Sequence, residues 1–129
     1  MEGPTELGTP LHLFEGFGIE LEYAVVDRTD LDVRPYVERV LSAVAGRVVS
    51  EVECGPTAWS NELVAHQMEL KTNGPVAKLE GVEQDFQAAL RRIDAILAAH
   101  GARLMPTAMH PWMDPAHEAV LWPHEYHEI

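Results

Sequence analysis

Short apolar blocks with polar punctuation run along most of the chain, and their spacing changes from one block to the next. Residues 17–26 form the first block and read as a strand, with Glu20 and Glu22 set two residues apart inside it. A strand repeats every two residues, so the two carboxylates would leave one face while Ile19, Leu21 and Tyr23 leave the other. Residues 27–32 are a polar turn. Pro35 then suits the start of a short helix, with Val37, Val40, Leu41 and Val44 as its apolar stripe and Gly46 as its end. The β-branched residues 47–52 predict a second strand, and Cys54-Gly55-Pro56 a turn.

Residues 59–72 read as a long strand or a hairpin arm, stopped by Asn73-Gly74-Pro75. A helical repeat follows, through Val76, Leu79, Val82, Phe86, Ala89, Leu90, Ile93, Ile96 and Leu97, with Gly101 just past its end. Residues 103–105 suit a further strand. From Pro106 onward, prolines, tryptophans and histidines make an irregular segment, of the kind that builds sites on loops. Strands and helices do not alternate strictly. The expectation is therefore an α+β fold with a mainly antiparallel sheet and helices on one face.

Composition narrows the partners. The chain has 129 residues, 47% apolar and 23% charged, which fits one domain with a real core. Its 21 acidic against 9 basic residues give a net charge of −12, arguing against nucleic acid or an anionic membrane and compatible with a site that collects cations. Cys54 is the single cysteine, which excludes an internal disulfide and points to a reducing, cytoplasmic setting. No apolar stretch has the length of a membrane span. The aromatic and imidazole-rich end, residues 122–129, lacks the polar character of a terminus and implies the front part of a longer protein.

Four groups could carry chemistry. Glu20 and Glu22 repel each other unless a cation joins them, and hard cations such as Mg²⁺ choose carboxylate oxygen; the same spacing also suits a solvated strand face. Glu62, His66 and Glu69 interrupt an apolar stretch. Strict alternation cannot put Glu62 and Glu69 on one face, although a bulge would, and either could instead pair with Lys71 on the solvent side. His110 follows a predicted strand in a proline-stiffened loop, where imidazole suits Mn²⁺ or Zn²⁺, binds a phosphate oxygen when protonated, or is merely polar surface. His117, His124 and His127, with Glu118, Glu125 and Glu128, match no zinc signature and read as a packing or interface segment, in which His124 and His127 would share a helix face. There is no glycine-rich phosphate loop and no nucleophile elbow, so a bound nucleotide would be held through metal ions and side chains.

Taken in order, Gly18-Ile19-Glu20-Leu21-Glu22-Tyr23, then Trp59-Ser60-Asn61-Glu62-Leu63 with His66, Glu69-Leu70-Lys71-Thr72 and Gly74-Pro75, then Met109-His110-Pro111, resemble the glutamate–cysteine ligase family of carboxylate–amine ligases, in its bacterial type 2 branch. The resemblance covers nearly the whole chain. It implies part of a glutamine-synthetase-like catalytic fold, with residues 1–129 as a single domain forming its N-terminal portion. It further implies ATP and Mg²⁺, or Mn²⁺, as cofactors. Glutamate would be phosphorylated on its γ-carboxylate and an amine such as that of cysteine would attack the acyl phosphate. On this resemblance Glu20, Glu22, Glu62 and Glu69 are metal ligands, with Glu53 competing for the place of Glu62. Glu69 and His110 contact the cofactor, and His110 is the catalytic histidine. Neither nucleic acid nor membrane is expected as a partner; a second copy or a C-terminal portion would cover the open sheet edge. Two other readings stay open: a non-catalytic metal- or nucleotide-binding module on this scaffold, and a metal-dependent hydrolase using Glu20 or Glu22 as base with His110.

Overall fold

A computed structural model describes residues 8–106 and 108–124. Five strands form one antiparallel sheet: β1 (Glu20–Asp27), β2 (Glu51–Cys54), β3 (Thr57–Asn61), β4 (Gln67–Thr72) and β5 (Ala102–Met105), in the order β2-β3-β4-β1-β5. Helices α1 (Val37–Ala45) and α2 (Val82–Ala98) pack on one face, and the one-turn α3 (Pro115–Glu118) lies in the C-terminal segment. This is the expected α+β architecture.

The sheet's two faces follow from alternation. Val25, Val52, Trp59, Met68 and Leu70 join Val40, Leu41, Phe86, Ile93 and Leu97 of the helices in one buried core. The opposite face therefore carries Glu20 and Glu22 of β1, Glu69 and Lys71 of β4, Ala58 and Ser60 of β3, and Glu51 and Glu53 of β2, in facing register. Helix α1 ends as predicted, at Gly46, which adopts φ 74° and donates its N–H to Ser42 O.

Helix α2 corrects the sequence reading at its start. It opens after Gly81 (φ 88°), not at Val76. Val76 instead exchanges backbone hydrogen bonds with Phe17 (2.8 and 2.9 Å), so its apolar side chain serves the sheet margin, outside the helical stripe. The second strand is also later than expected. Gly55-Pro56 joins β2 to β3 as a two-residue turn with Gly55 at φ 65°, and this fixes Cys54 opposite Thr57. That register leaves residues 47–49 outside the ladder, while Ser50 O still accepts the N–H of Asn61 (3.1 Å).

Residues 59–72 are not one strand. The chain leaves β3 after Asn61, and residues 63–65 give their backbone bonds to the C-terminal segment: Ala65 N–H to Val120 O (2.7 Å) and Trp122 N–H to Leu63 O (2.8 Å). Val37 N–H, at the start of α1, donates to Ala65 O (3.2 Å). The polar turn after β1 is held by Asp27, whose Oδ1 accepts the N–H groups of Thr29 and Asp30 and whose Oδ2 lies 3.3 Å from Arg34. Those bonds, then Arg34, hold its carboxyl below the usual range.

Candidate functional site

The site grows out of the facing register of β1 and β4. Glu22 lies directly opposite Glu69. The hairpin between β3 and β4 then closes with Glu62 N–H donating to Gln67 O (3.3 Å), which returns Glu62 beside them. Glu22, Glu62 and Glu69 each offer a carboxylate oxygen within 4.8 Å of the other two. The parity problem is solved by the hairpin, where the sequence had invited a bulge. Three hard oxygen donors from two strands and a turn fit a cation of the Mg²⁺ or Mn²⁺ kind.

Electrostatics agree with that donor set. Burial, a hydrogen bond to Glu69, and the charges of Glu69 and Glu22 push the Glu62 carboxyl above its usual range. Glu69 is also held on its other side. Lys71 Nζ lies 3.3 Å from its Oε1 and 2.7 Å from Glu51 Oε2, and Ser60 Oγ donates to Glu69 Oε1 at 3.4 Å. The Glu51 carboxylate, then Glu69, raise the Lys71 pKa against the opposing effect of burial. The pairing with Lys71 that the sequence offered as an alternative for Glu69 is thus present together with the cluster.

Beside the trio, Glu51, Ser60, Asn61, Glu62, Glu69 and Lys71 line a polar cleft of about 240 Å³. Among the described residues, the buried Asn61 Oδ1, Gln67 Oε1 and His66 Nδ1 have no hydrogen-bond partner. Asn61, Lys71 and Ser60 belong to the segment that drew attention in the sequence, but only the register reveals that they border the carboxylates.

Glu20 shares the face of Glu22 and lies opposite Lys71, yet it is exposed and is not one of the three clustered carboxylates. Glu53 lies on the same face, opposite Ala58 and outside the cluster. His110 is occupied elsewhere. Its Nδ1 accepts the N–H groups of Trp112 (3.3 Å) and Met113 (3.2 Å), which leaves Nε2 to donate to Leu31 O (2.7 Å). The histidine so pins the C-terminal segment to the turn after β1. His66 is 3% exposed, and burial, then the charge of His110, lower its pKa.

His117 pairs with Asp114 at 2.6 Å, and His124 with Glu38 of α1 at 3.1 Å. His124 lies outside any helix; its expected partner on a helix face, His127, falls outside the described residues, as do Glu125 and Glu128. Cys54 is half-buried, and burial pushes its thiol up.

The raised Glu62 pKa has a direct consequence. Folded, this carboxyl holds its proton more tightly than in the unfolded chain, where a Glu titrates at about 4.3. The metal-free protein should therefore lose stability as pH rises through the interval between those two values. A cation and the proton compete for the same oxygens, so Mg²⁺ affinity should fall as pH drops through that interval, with proton release on binding. Calorimetry in buffers of different ionisation enthalpy reads this release; affinity flat with pH would show that Glu62 is not a ligand.

These features define a class: an α+β protein with helices on one sheet face and a carboxylate cluster suited to hard cations on the other. A family model described as glutamate-cysteine ligase family 2 matches residues 16–129, and the chain belongs to that family. Membership places it among ligases of the glutamate–cysteine ligase kind. A search of curated proteins finds no match. Among the described residues no helix is long and apolar enough to cross a membrane.

Proposed function

We propose that the chain forms one wall of the active site of an ATP-dependent carboxylate–amine ligase on a glutamine-synthetase-like fold, joining glutamate to an amine such as that of cysteine. The observation that carries this reading is the convergence of Glu22, Glu62 and Glu69 within 4.8 Å. Phosphoryl transfer needs charge neutralisation and in-line placement more than a protein nucleophile. Mg²⁺ or Mn²⁺ held by these carboxylates would supply the first and orient the phosphates for the second. The sequence offers no glycine-rich phosphate loop, in keeping with nucleotide held through metal.

Within this reading each residue has a separate task. Lys71 and Ser60 hold Glu69 in place. Glu62 would give up its proton to hold the cation with Glu22 and Glu69. Glu20 extends the acidic wall towards the open end of β1. His110 would reach a phosphate oxygen only by giving up its bond to Leu31 O. The lone cysteine fits a cytoplasmic enzyme.

The test combines two measurements on the purified chain. ATP binding should require Mg²⁺ or Mn²⁺ and vanish with a chelator. ADP release should require glutamate and an amine together, with one amide formed per ADP by mass spectrometry, at a low rate if further wall residues come from elsewhere. Metal binding without nucleotide binding would leave the non-catalytic module, and product formed without ATP the hydrolase; either result overturns the ligase reading.

A further inference from the structure

The central strand β1 has an unfinished edge. It pairs with β4 along residues 20–24, but with β5 only along residues 24–27. Among the described residues, nothing pairs with the outer edge of residues 20–23. Ile19 O accepts Thr72 N–H (3.0 Å) and Val25 N–H donates to His66 O (2.7 Å), so odd-numbered residues turn their backbone groups to β4. By alternation, Glu20 and Glu22 turn theirs to the open edge. β5 ends at Met105, opposite Ala24, and Pro106 follows it.

The two sides of this edge differ sharply. On the helix side, an apolar groove of about 370 Å³ runs between β1 and α2, lined by Leu21, Tyr23, Leu79, Val82, Phe86 and Leu90. A second hollow of about 220 Å³ continues past Tyr23 and Leu90 to Leu104. Leu21 and Leu79 stay 43% and 50% exposed in it. On the other side stand the carboxylates of Glu20 and Glu22. The ladder of that face sets Glu20, Glu22, Glu51, Glu53 and Glu69 against Lys71, which Glu51 and Glu69 already hold.

We propose that the outer edge of β1 receives an extended segment of a partner polypeptide in which apolar and basic residues alternate. Backbone groups of Glu20 and Glu22 hydrogen-bond the incoming strand. Its apolar side chains enter the groove over α2, and its lysines or arginines meet the glutamates on the opposite face. Residues 82–90 of α2 span about 12 Å, which matches about four strand residues. Charge selects against a second copy of this chain: β1 against β1 would set Glu20 and Glu22 beside their equivalents, on molecules of net charge −12. The strand edge and the apolar groove lie outside the carboxylate trio, but Glu22 serves both readings, so the inference is tested on metal-free protein.

The probe is a capped hexapeptide alternating valine and arginine, at low salt. Its amide shift changes should centre on residues 20–23, Leu79 and Leu90. Leu79→Asp, at an exposed position outside the helix, should weaken it at least tenfold. Methylating alternate backbone nitrogens gives two further peptides of equal charge, and strand addition requires one to lose at least tenfold and the other to be spared. Equal affinity of the two methylated peptides, shifts centred on Glu51 and Glu53, or self-association of the chain through this edge in sedimentation would each overturn the proposal.

Discussion

Glu22→Gln should weaken Mg²⁺ binding by about 100-fold or more, since even residues that only hydrogen-bond a metal's ligands are commonly worth about 10–100-fold. The same substitution should leave the metal-free fold intact or slightly steadier. Glu22 is exposed and faces Glu69 directly, and like charges directly opposite in a ladder destabilise it, by about 0.5 kcal/mol. This opposition of effects is the signature of a ligand. A merely structural carboxylate would lose stability on substitution, and a solvated one would change neither quantity. Glu53→Gln is the control, because Glu53 shares the face but not the cluster. Titration calorimetry and thermal unfolding on the two variants decide the matter. Unchanged Mg²⁺ affinity in Glu22→Gln would dismiss the trio as a metal centre.

Trp59→Ala should cost about 3–5 kcal/mol, the range for deleting a large buried aromatic. Trp59 is 1% exposed, sits among Val52, Leu70 and the helices, and donates its indole N–H to Thr57 Oγ at 3.1 Å. Against a typical total of roughly 5–15 kcal/mol, that loss leaves little margin. Trp59→Phe keeps most of the volume and should cost clearly less. Urea unfolding compares the two. Because Trp59 points away from the carboxylate face, Trp59→Phe should also retain Mg²⁺ affinity; a large loss would mean that the two faces are coupled.

Much of the frame was legible because periodicity and punctuation are local. Alternation placed Glu20 with Glu22, the stripe from Val37 to Leu41 marked α1, and Gly46 its end. The misplaced boundaries have non-local causes. Val76 fits a helical stripe as well as any residue, but its bond partner is Phe17, far back in the chain. Residues 47–52 have strand composition, yet the Gly55-Pro56 turn sets which of them can pair.

The candidate site was legible as a set of residue types and illegible as a shape. Nothing local says that Glu62 returns beside Glu69, since that depends on where residues 63–65 find hydrogen bonds. Nor could sequence separate Glu62 from Glu53, two acidic residues one hairpin strand apart. His110 stood out as a candidate for chemistry, and the structure holds both its ring nitrogens on backbone groups.

The loop that carries Glu62 ties the site to the order in which the chain folds. Residues 63–65 are fixed by partners at positions 120–122 and 37, so the loop next to Glu62 is locked once early and late parts of the polypeptide have met. Such long closures are slow compared with a hairpin's own formation. Glu22 and Glu69 can align as soon as β1 meets β4, and the Glu62–Gln67 bond brings the third carboxylate near them; docking of residues 120–122 on residues 63–65 then fixes it there. On a ribosome the cation site would stay open until residues 120–122 had emerged and docked, so cation capture would follow that docking step.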